Sequence, residues 1–286
     1  MTGGTGFLGS ALRRRLEAEG HSITVLSRSK DGVVGSTTFV RSLEDLGPHD
    51  AVINLAGETV AGFWTKKKKQ AIYDSRIDTT RELVEWMDKQ PVKPSVFLSS
   101  SAVGIYGDRG AEELTEKSDL AGPEDFLAKV CRDWEQAAMT AAWKGTRTVL
   151  LRTGHPLDPS GGYLGTVLPM MRRFPIVILG SRDAYLPWIA LSDWVELVIW
   201  ALGEESVSGP LNMSAPNPAT QEEFTQAAAA YLKKRIWGRV PKWAIRLGTG
   251  EFGSAITTSE RAIPAKARDG GFRFGCMRID EYFAGL

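Results

Sequence analysis

Three glycines spaced three residues apart, Gly3, Gly6 and Gly9, constrain this chain more than any other feature. Apolar residues then recur at helical spacing, and the helix that they predict ends near Gly20. The next apolar stretch, 23–26, is typical of a strand. A glycine-rich turn that leads into a helix and a strand can hold the pyrophosphate of a dinucleotide, because glycine lets the backbone approach the phosphates at the helix N-terminus. An ordinary turn and helix is the alternative.

Alternating strands and helices predict an α/β fold for the first half of the chain. The pattern predicts further strands at 37–40, 51–55, 95–99 and 147–152, and long helices at 66–89 and 124–142. Such alternation is typical of a parallel sheet with helices on both faces. We therefore predict a Rossmann-type, doubly wound parallel sheet in a first domain, residues 1–153.

The first strand of this sheet has almost no sequence from which to form. Met1 lies next to the glycine turn, although the central strand of such a sheet needs about five or six residues. Either the sheet contains a gap or the true start lies upstream. We expect an incomplete N-terminus, because unpaired central edges would leave many backbone groups without hydrogen bonds.

The second half of the chain has a different character. Prolines and glycines cluster between Pro156 and Gly162, and short mixed elements follow. One helix is predicted to begin at Ser192 or Asp193, and another is predicted to span 220–233. We predict a smaller substrate lobe over residues 154–286.

Composition excludes several classes of protein. Basic and acidic residues number 35 and 34, so a net charge of +1 does not favour binding to nucleic acid or to a membrane surface. The two cysteines, Cys131 and Cys276, are too few for a disulfide scaffold. Neither a signal peptide nor an apolar run long enough to span a membrane is visible. We expect a cytoplasmic protein.

The residues after the 23–26 strand predict which dinucleotide is preferred. A site for NAD(H) usually has an acidic residue here, which accepts hydrogen bonds from the ribose, but this chain reads Ser27-Arg28-Ser29-Lys30. A guanidinium can bind a 2′-phosphate through two hydrogen bonds, so Arg28 favours NADP(H) over NAD(H). A solvated arginine at a strand end is the alternative.

Several segments resemble a known family. Thr2–Gly9 and Asn54–Gly57 resemble the extended short-chain dehydrogenase/reductases, which include nucleotide-sugar epimerases and dehydratases. A narrower resemblance, to the atypical branch called epimerase family proteins, rests on Leu55–Glu58, Ser75–Arg76, Ser101–Gly104, Tyr106–Gly110 and Cys131–Glu135. The end of the chain, about 238–286, resembles the short C-terminal domain of unknown function of that branch.

The resemblance implies an NADP-type cofactor and a set of contacts to it. Arg28 and its neighbour Ser27 would lie at the 2′-phosphate, and the turn that ends at Pro156 would lie beside the nicotinamide. The cofactor residues that it implies are Gly3, Gly6, Phe7, Leu8, Gly9, Ser27, Arg28, Leu55, Ala56, Gly57, Arg76, Ser99 and Pro156.

Active members of the wider superfamily move a proton with a tyrosine and a lysine four residues further on. The corresponding helix here has Phe126 and Lys129, which are three residues apart and include no tyrosine. Ser101 resembles the serine that polarises the substrate oxygen, and Tyr106 is the nearest candidate acid. A serine bonded to the backbone and a packing tyrosine are the alternatives.

Three further positions bear on the chemistry. Glu58 is another ionisable group near the expected site, and it could equally cap a turn. The atypical branch usually has an apolar pair where this chain has His155-Pro156, and a histidine where it has Ala190. His155 could act as a general base, although the sequence shows no partner for it. No clustered spacing of histidine, cysteine and carboxylate residues suggests a metal.

Two hypotheses follow for the function. The first is an NADP-dependent oxidoreductase or epimerase that acts on a small molecule bearing a hydroxyl or carbonyl group. The second is a non-catalytic dinucleotide-binding protein with a regulatory or assembly role, which the missing tyrosine and lysine favour. A homodimer could form through the helices predicted at 66–89 and 124–142.

Overall fold

The computed structural model describes residues 1–122 and 124–286. Their strands are β1 (Ile23–Leu26), β2 (Gly32–Val34), β3 (Thr37–Val40), β4 (Ala51–Asn54), β5 (Val96–Ala102), β6 (Glu113–Leu114), β7 (Arg147–Thr153), β8 (His155–Asp158), β9 (Ile176–Leu179), β10 (Tyr185–Leu186), β11 (Trp188–Ala190), β12 (Gly209–Met213), β13 (Ala219–Thr220), β14 (Ile236–Val240) and β15 (Arg261–Ala262). The helices are α1 (Phe7–Ala18), α2 (Lys66–Asp88), α3 (Phe126–Trp143), α4 (Gly162–Arg173), α5 (Leu191–Gly203), α6 (Gln221–Tyr231), α7 (Lys242–Thr249), α8 (Phe252–Ala255), α9 (Ala265–Asp269) and α10 (Ile279–Ala284).

The main sheet is parallel except at one edge, and helices cover both of its faces. One half runs β2-β3-β1 and the other runs β4-β5-β7-β12, with only β2 antiparallel to its neighbour. Leu12 of α1 and Trp194 of α5 pack on one face, and Leu83 of α2 and Ala138 of α3 pack on the other. The predicted fold class, a Rossmann-type doubly wound sheet, is confirmed.

Met1 and Thr2 join the two halves of the sheet. Thr2 pairs in parallel with both Leu26 and Asn54, and its N–H donates to the Ile53 carbonyl at 2.9 Å. The Met1 carbonyl accepts from the Leu26 N–H at 2.9 Å. Met1 and Thr2 stand in the place of the central strand through isolated bridges, in agreement with the predicted sheet whose first strand is missing from the sequence.

A cleft lies below Met1, between β1 and β4. Its volume is about 340 Å³, and its lining includes Leu16, Ile23, Ala51, Ile53, Val96 and Leu202. The Met1 amino group donates to the Thr24 carbonyl at 2.5 Å, and burial lowers its pKa to about 5.

The long helices begin at side-chain caps. Thr65 accepts a hydrogen bond from the Lys68 N–H at the start of α2, and Asp125 accepts one from the Ala128 N–H at the start of α3. Both helices lie within one or two residues of the predicted 66–89 and 124–142, and they pack side by side. Association of two copies through them stays a prediction.

The second lobe is not one continuous part of the chain. A separate core around Trp188 and Phe224 includes side chains of α4, α6 and α10. Between these elements the chain returns to the main sheet as α5 and β12, so the sheet continues beyond residue 153. The division at residue 153 stays a prediction.

Helix α4 was not predicted. Its sequence contains Gly165 and Pro169, and it follows a segment rich in proline and glycine. These residues favour turns, so they hide the apolar spacing of Leu164, Leu168 and Met171, which are buried in the second core. Tertiary packing therefore overrides the local preference. Among the described residues, no helix combines the length and apolarity needed to cross a bilayer.

Candidate functional site

The glycine loop, residues 3–9, lies between the carboxyl ends of β1 and β4. Gly3 has a φ of +65°, and a Cβ there would lie 2.6 Å from the Leu55 carbonyl oxygen. A Cβ at Gly9 would overlap the Gly3 carbonyl, so α1 can pack against the turn only with glycine at this position. At Gly6 the nearest atom is 3.4 Å away. The structure therefore needs glycine at Gly3 and Gly9, and leaves Gly6 free of steric demand.

The start of α1 can receive an anion. Gly6 is its N-cap residue and provides no side-chain hydrogen bond, whereas Phe7, Leu8 and Gly9 form its first turn. First-turn N–H groups have no partner inside a helix, and the helix dipole adds positive potential there. A diphosphate fits this environment, and the empty space at Gly6 would let it approach the backbone.

The loop after β4 is fixed against the glycine loop by Thr2. Its hydroxyl donates to Asn54 Oδ1 at 2.7 Å and accepts from the N–H groups of Leu55 at 3.2 Å and Ala56 at 3.1 Å. Residues 55–57 therefore lie directly beside the glycine loop. Ser99 lies beneath them, fully buried, with its Oγ 3.5 Å from Asn54 Nδ2.

Arg76 anchors this loop from below. Its guanidinium donates to the Glu58 carbonyl at 2.9 Å and to the Ile72 carbonyl at 3.0 Å, and it lies 5.1 Å from the centre of the Trp134 ring. A Cβ at Gly57 would approach the guanidinium carbon to 3.0 Å. Burial lowers the pKa of Arg76. Arg76 is predicted to contact the cofactor, and these hydrogen bonds give it a structural role as well.

Positive charge collects around Glu58, between the loop after β4 and the turn after β1. Lys68 donates to the Glu58 carboxylate at 2.7 Å, and this hydrogen bond, with the nearby charges of Arg28 and Arg76, holds the pKa of Glu58 below its usual value. Ser27 Oγ accepts from the Lys30 N–H at 3.2 Å, which forms the turn after β1. The Arg28 side chain at the tip of this turn is exposed, so it is available to a phosphate.

The two candidate catalytic hydroxyls share a buried network. Ser101 Oγ donates to Glu135 Oε1 at 2.7 Å, and Glu135 is held by two bonds of 2.8 Å from Arg152. Tyr106 donates to Asn212 Oδ1 and accepts from Arg152, each at 2.8 Å, and burial raises the pKa of Tyr106 to about 12. Either hydroxyl would have to give up a protein partner to reach a substrate.

The turn predicted to end at Pro156 is already a strand from His155 onward, and this strand, β8, lies near the glycine loop. β8 pairs in parallel with β11, which places Pro156 opposite Ile189. A Cβ at Gly161 would lie 2.5 Å from the Phe7 ring, so the start of α4 packs against the start of α1. Burial lowers the pKa of His155 to about 4, which makes the imidazole neutral at pH 7.

A second cleft, which the sequence did not reveal, lies between the first domain and the C-terminal segment. We call it the Glu260 cleft. It has a volume of about 420 Å³, and its lining includes Trp64, Gly104, Phe126, Arg246, Ser254 and Glu260. No spacing signal could have found it, because its walls come from four distant stretches of chain. Glu260 is its most buried ionisable group, with 6% of its surface exposed.

The described part of the chain contains no cluster of three or more histidine, cysteine or carboxylate residues that could hold a metal ion.

Comparison with known families identifies the architecture. A model described as "NAD dependent epimerase/dehydratase family" matches residues 1–213. The chain belongs to this family. A second model, "Domain of unknown function (DUF1731)", matches residues 240–286, close to the predicted 238–286. The predicted epimerase-type branch with its C-terminal domain is therefore confirmed.

Individual relatives extend over the whole chain. The chain is 36% identical to "Epimerase family protein YfhF" of Bacillus subtilis, over 96% of this chain and 92% of that protein. It is 34% identical to "Epimerase family protein SDR39U1 homolog, chloroplastic" of Arabidopsis thaliana, over 96% and 82% of the two chains. The crystal structure of human epimerase family protein SDR39U1 with NADPH superposes with a TM-score of 0.90 at 28% identity, over 100% of this chain and 97% of that one.

Proposed function

We propose that this protein binds NADP(H) along the glycine loop and uses it as an oxidoreductase or epimerase on a small molecule that bears a hydroxyl or carbonyl group. The observation that carries the proposal is the uncapped start of α1 above a turn that needs glycine at Gly3 and Gly9. The human SDR39U1 structure with NADPH supports it, because that chain is similar over its full length.

The charge at the adenosine end favours NADP(H) over NAD(H). No carboxylate lies in the Ser27–Lys30 turn, and Arg28 extends from it into solvent. A ribose 2′-hydroxyl would find no carboxylate in this turn, whereas a 2′-phosphate would find a guanidinium. When bound, the cofactor would supply a hydride donor or acceptor. The chain's own residues hold its diphosphate at α1 and orient its adenosine end at Arg28.

The test is a titration of the purified protein with NADPH and with NADH, followed by energy transfer from tryptophan to the nicotinamide. We expect tighter binding of NADPH. Arg28→Ala should weaken NADPH binding about 10- to 100-fold, because a hydrogen bond to a charged group contributes about 1.5–3 kcal/mol, and it should leave NADH binding unchanged. Arg173→Ala, an exposed arginine at the end of α4, is the matched control.

A second variant separates the loop from the fold. Gly6→Ala should leave stability nearly unchanged, because a Cβ fits there, and should weaken both dinucleotides by filling the space above α1. Equal affinity of wild type and Gly6→Ala would contradict the proposed place of the diphosphate. If the folded wild type bound neither dinucleotide, the proposed function would be wrong.

The non-catalytic alternative has one specific observation in its favour. The hydroxyls of Ser101 and Tyr106 are both bonded to buried protein groups, so the expected proton donors are engaged. Tight NADPH binding without any oxidation of NADPH by carbonyl compounds would favour this alternative.

A further inference from the structure

Glu260 is held rigidly beside two short strands, β10 and β15, which belong to two separate two-stranded sheets. Its N–H donates to the Tyr185 carbonyl at 3.2 Å, and the strand that follows it, β15, pairs with β6. The preceding residue, Ser259, donates from Oγ to the Gly110 carbonyl at 2.7 Å and accepts from the Tyr185 N–H at 2.9 Å. These bonds fix the backbone on both sides of the carboxylate, so its position is set by the fold.

The carboxylate lies at the carboxyl end of the sheet. A Cβ at Gly104, in the short helix that follows β5, would lie 3.9 Å from Glu260 Oε1. Ligands of open α/β sheets bind beyond the carboxyl ends of the strands. The Glu260 cleft therefore opens where a substrate would meet the end of β5, beside the first turn of α3.

Glu260 has no cation to neutralise it. Its carboxylate forms no ion pair with any residue in 1–122 or 124–286, whereas Lys69 on the opposite wall is paired with Glu251 at 2.5 Å. Burial raises the pKa of Glu260 to about 8, although a hydrogen bond from Thr258 opposes the rise, and the carboxylates of Asp125 and Asp108 add to it. Glu260 is therefore protonated at neutral pH.

The other charged groups of the cleft do not change this. Glu124 and Asp125 lie just before α3, Glu251 precedes α8 and Arg246 lies on α7. Asp125 already accepts the Ala128 N–H as the cap of α3, and Lys69 neutralises Glu251. Glu260 is the buried carboxyl among them, so it is the group that can carry a proton in the cleft at pH 7.

We propose that the Glu260 carboxyl is the proton-transferring group of this site, acting on the oxygen of a carbonyl substrate bound in the Glu260 cleft. The proposal rests on the proposed function, since the hydride must come from a bound NADPH. Trp64 and Phe126, whose ring centres are 5.3 Å apart, form an apolar wall. The substrate class is a small carbonyl compound with an apolar or aromatic part.

The step balances without a further reactant. In the reducing direction the carbonyl carbon gains a C–H bond by accepting a hydride from NADPH, which is oxidised to NADP⁺. The π electron pair moves to the oxygen, which forms an O–H bond with the proton that leaves Glu260. The carboxylate then regains a proton from water. In the oxidising direction the same carboxylate accepts the hydroxyl proton.

The first experiment needs no substrate. In protein labelled with ¹³C at the glutamate carboxyls, the Glu260 signal is the one absent from Glu260→Gln. We expect it to titrate near pH 8, more than three pH units above an ordinary glutamate. Titration near the ordinary value of about 4.3 would overturn the proposal.

The second experiment measures NADPH oxidation with 1-phenyl-1,2-propanedione from pH 5.5 to 9.5. We expect the wild-type rate to fall as the pH rises through about 8, because the proton donor is lost there. Glu260→Gln should lower kcat about 100-fold or more and remove this pH dependence, because an amide cannot donate the proton. Glu260→Asp should recover part of the rate. Glu281→Gln changes an exposed residue of α10, so its rate should match that of the wild type.

The outcomes separate the two proposals. The NADPH titration is repeated on every variant, and Glu260→Gln should bind NADPH as tightly as the wild type. Two results would overturn the role of Glu260 and leave cofactor binding intact. One is a wild-type rate in a Glu260→Gln variant that binds NADPH. The other is a wild type that binds NADPH but does not oxidise it. Loss of NADPH binding by the wild type would overturn the proposed function, and this inference with it.

Discussion

Glu135 and Glu260 are buried almost equally, with 7% and 6% of their surfaces exposed, yet their surroundings are opposite. Glu135 accepts two hydrogen bonds from Arg152 and one from Ser101, so its charge is fully partnered. Glu260 faces a cleft and forms no ion pair with any residue that the structure describes. Burial alone therefore says little about function, whereas the partner decides whether a buried carboxylate stabilises the structure or holds an exchangeable proton.

The largest effect should come from breaking the partnered carboxylate. Arg152→Met leaves Glu135 buried and uncompensated, and loss of one partner of a buried ion pair costs about 3–5 kcal/mol. We expect the free energy of unfolding, measured with urea, to fall by that amount. Arg182→Met removes an exposed ion pair with Glu222 and should change it by less than about 1 kcal/mol.

A double variant checks the cause. Adding Glu135→Gln to Arg152→Met removes the uncompensated charge and should recover part of the lost stability. If the single and double variants were equally unstable, the cost would come from packing around Arg152, and the contrast between the two glutamates would lose its basis.

A smaller effect is expected from Tyr106→Phe. The hydroxyl bonds both Asn212 and Arg152, so its removal leaves two buried groups short of a partner, at about 1–3 kcal/mol. Tyr73→Phe, which loses only a bond to Asp133 near the surface, should cost less. Urea unfolding and NADPH oxidation with 1-phenyl-1,2-propanedione should be measured together.

The same variant tests the predicted catalytic role of Tyr106. We expect lower stability and nearly unchanged turnover, because the hydroxyl belongs to the partnered network. The reverse result, a large loss of turnover with little loss of stability, would return Tyr106 to the role of acid and weaken the case for Glu260.

The two regions also differ in how far the sequence predicts them. The glycine loop depends on Gly3 and Gly9, whose spacing and neighbouring apolar pattern are local, so loop, helix and strand could be read from one stretch. Buried strands such as 51–54 were found within a residue for the same reason. The Glu260 cleft combines residues from 64–69, 104, 124–127 and 246–260, and contacts over such separations leave no periodic signal.

The direction of side chains was a second limit. Ser101 was chosen because it resembles the superfamily serine, but its hydroxyl, near the end of β5, donates to Glu135 on α3. Alternation along a strand predicts which residues share a face, but it does not predict which polar group of another element contacts that face. The sequence did not predict the buried pair of Glu135 and Arg152, because a helix glutamate and a strand arginine usually lie in solvent.

Glu260 should also make the stability of the protein depend on pH. The folded protein keeps the Glu260 proton up to about pH 8, whereas the unfolded chain releases it near pH 4.5, so the wild type loses stability as pH rises through this window. Glu260→Gln cannot ionise, and its Tm relative to the wild type should rise with pH. Each pH unit between these two values costs the wild type about 1.4 kcal/mol, so we expect the Tm difference to be smallest at pH 5, larger at pH 7 and largest at pH 9. Glu281→Gln controls for the loss of an exposed charge.

Because other groups titrate in both proteins, only the difference between the two melting curves reports on Glu260. A constant difference at pH 5, 7 and 9 would mean that Glu260 is ionised throughout and holds no exchangeable proton.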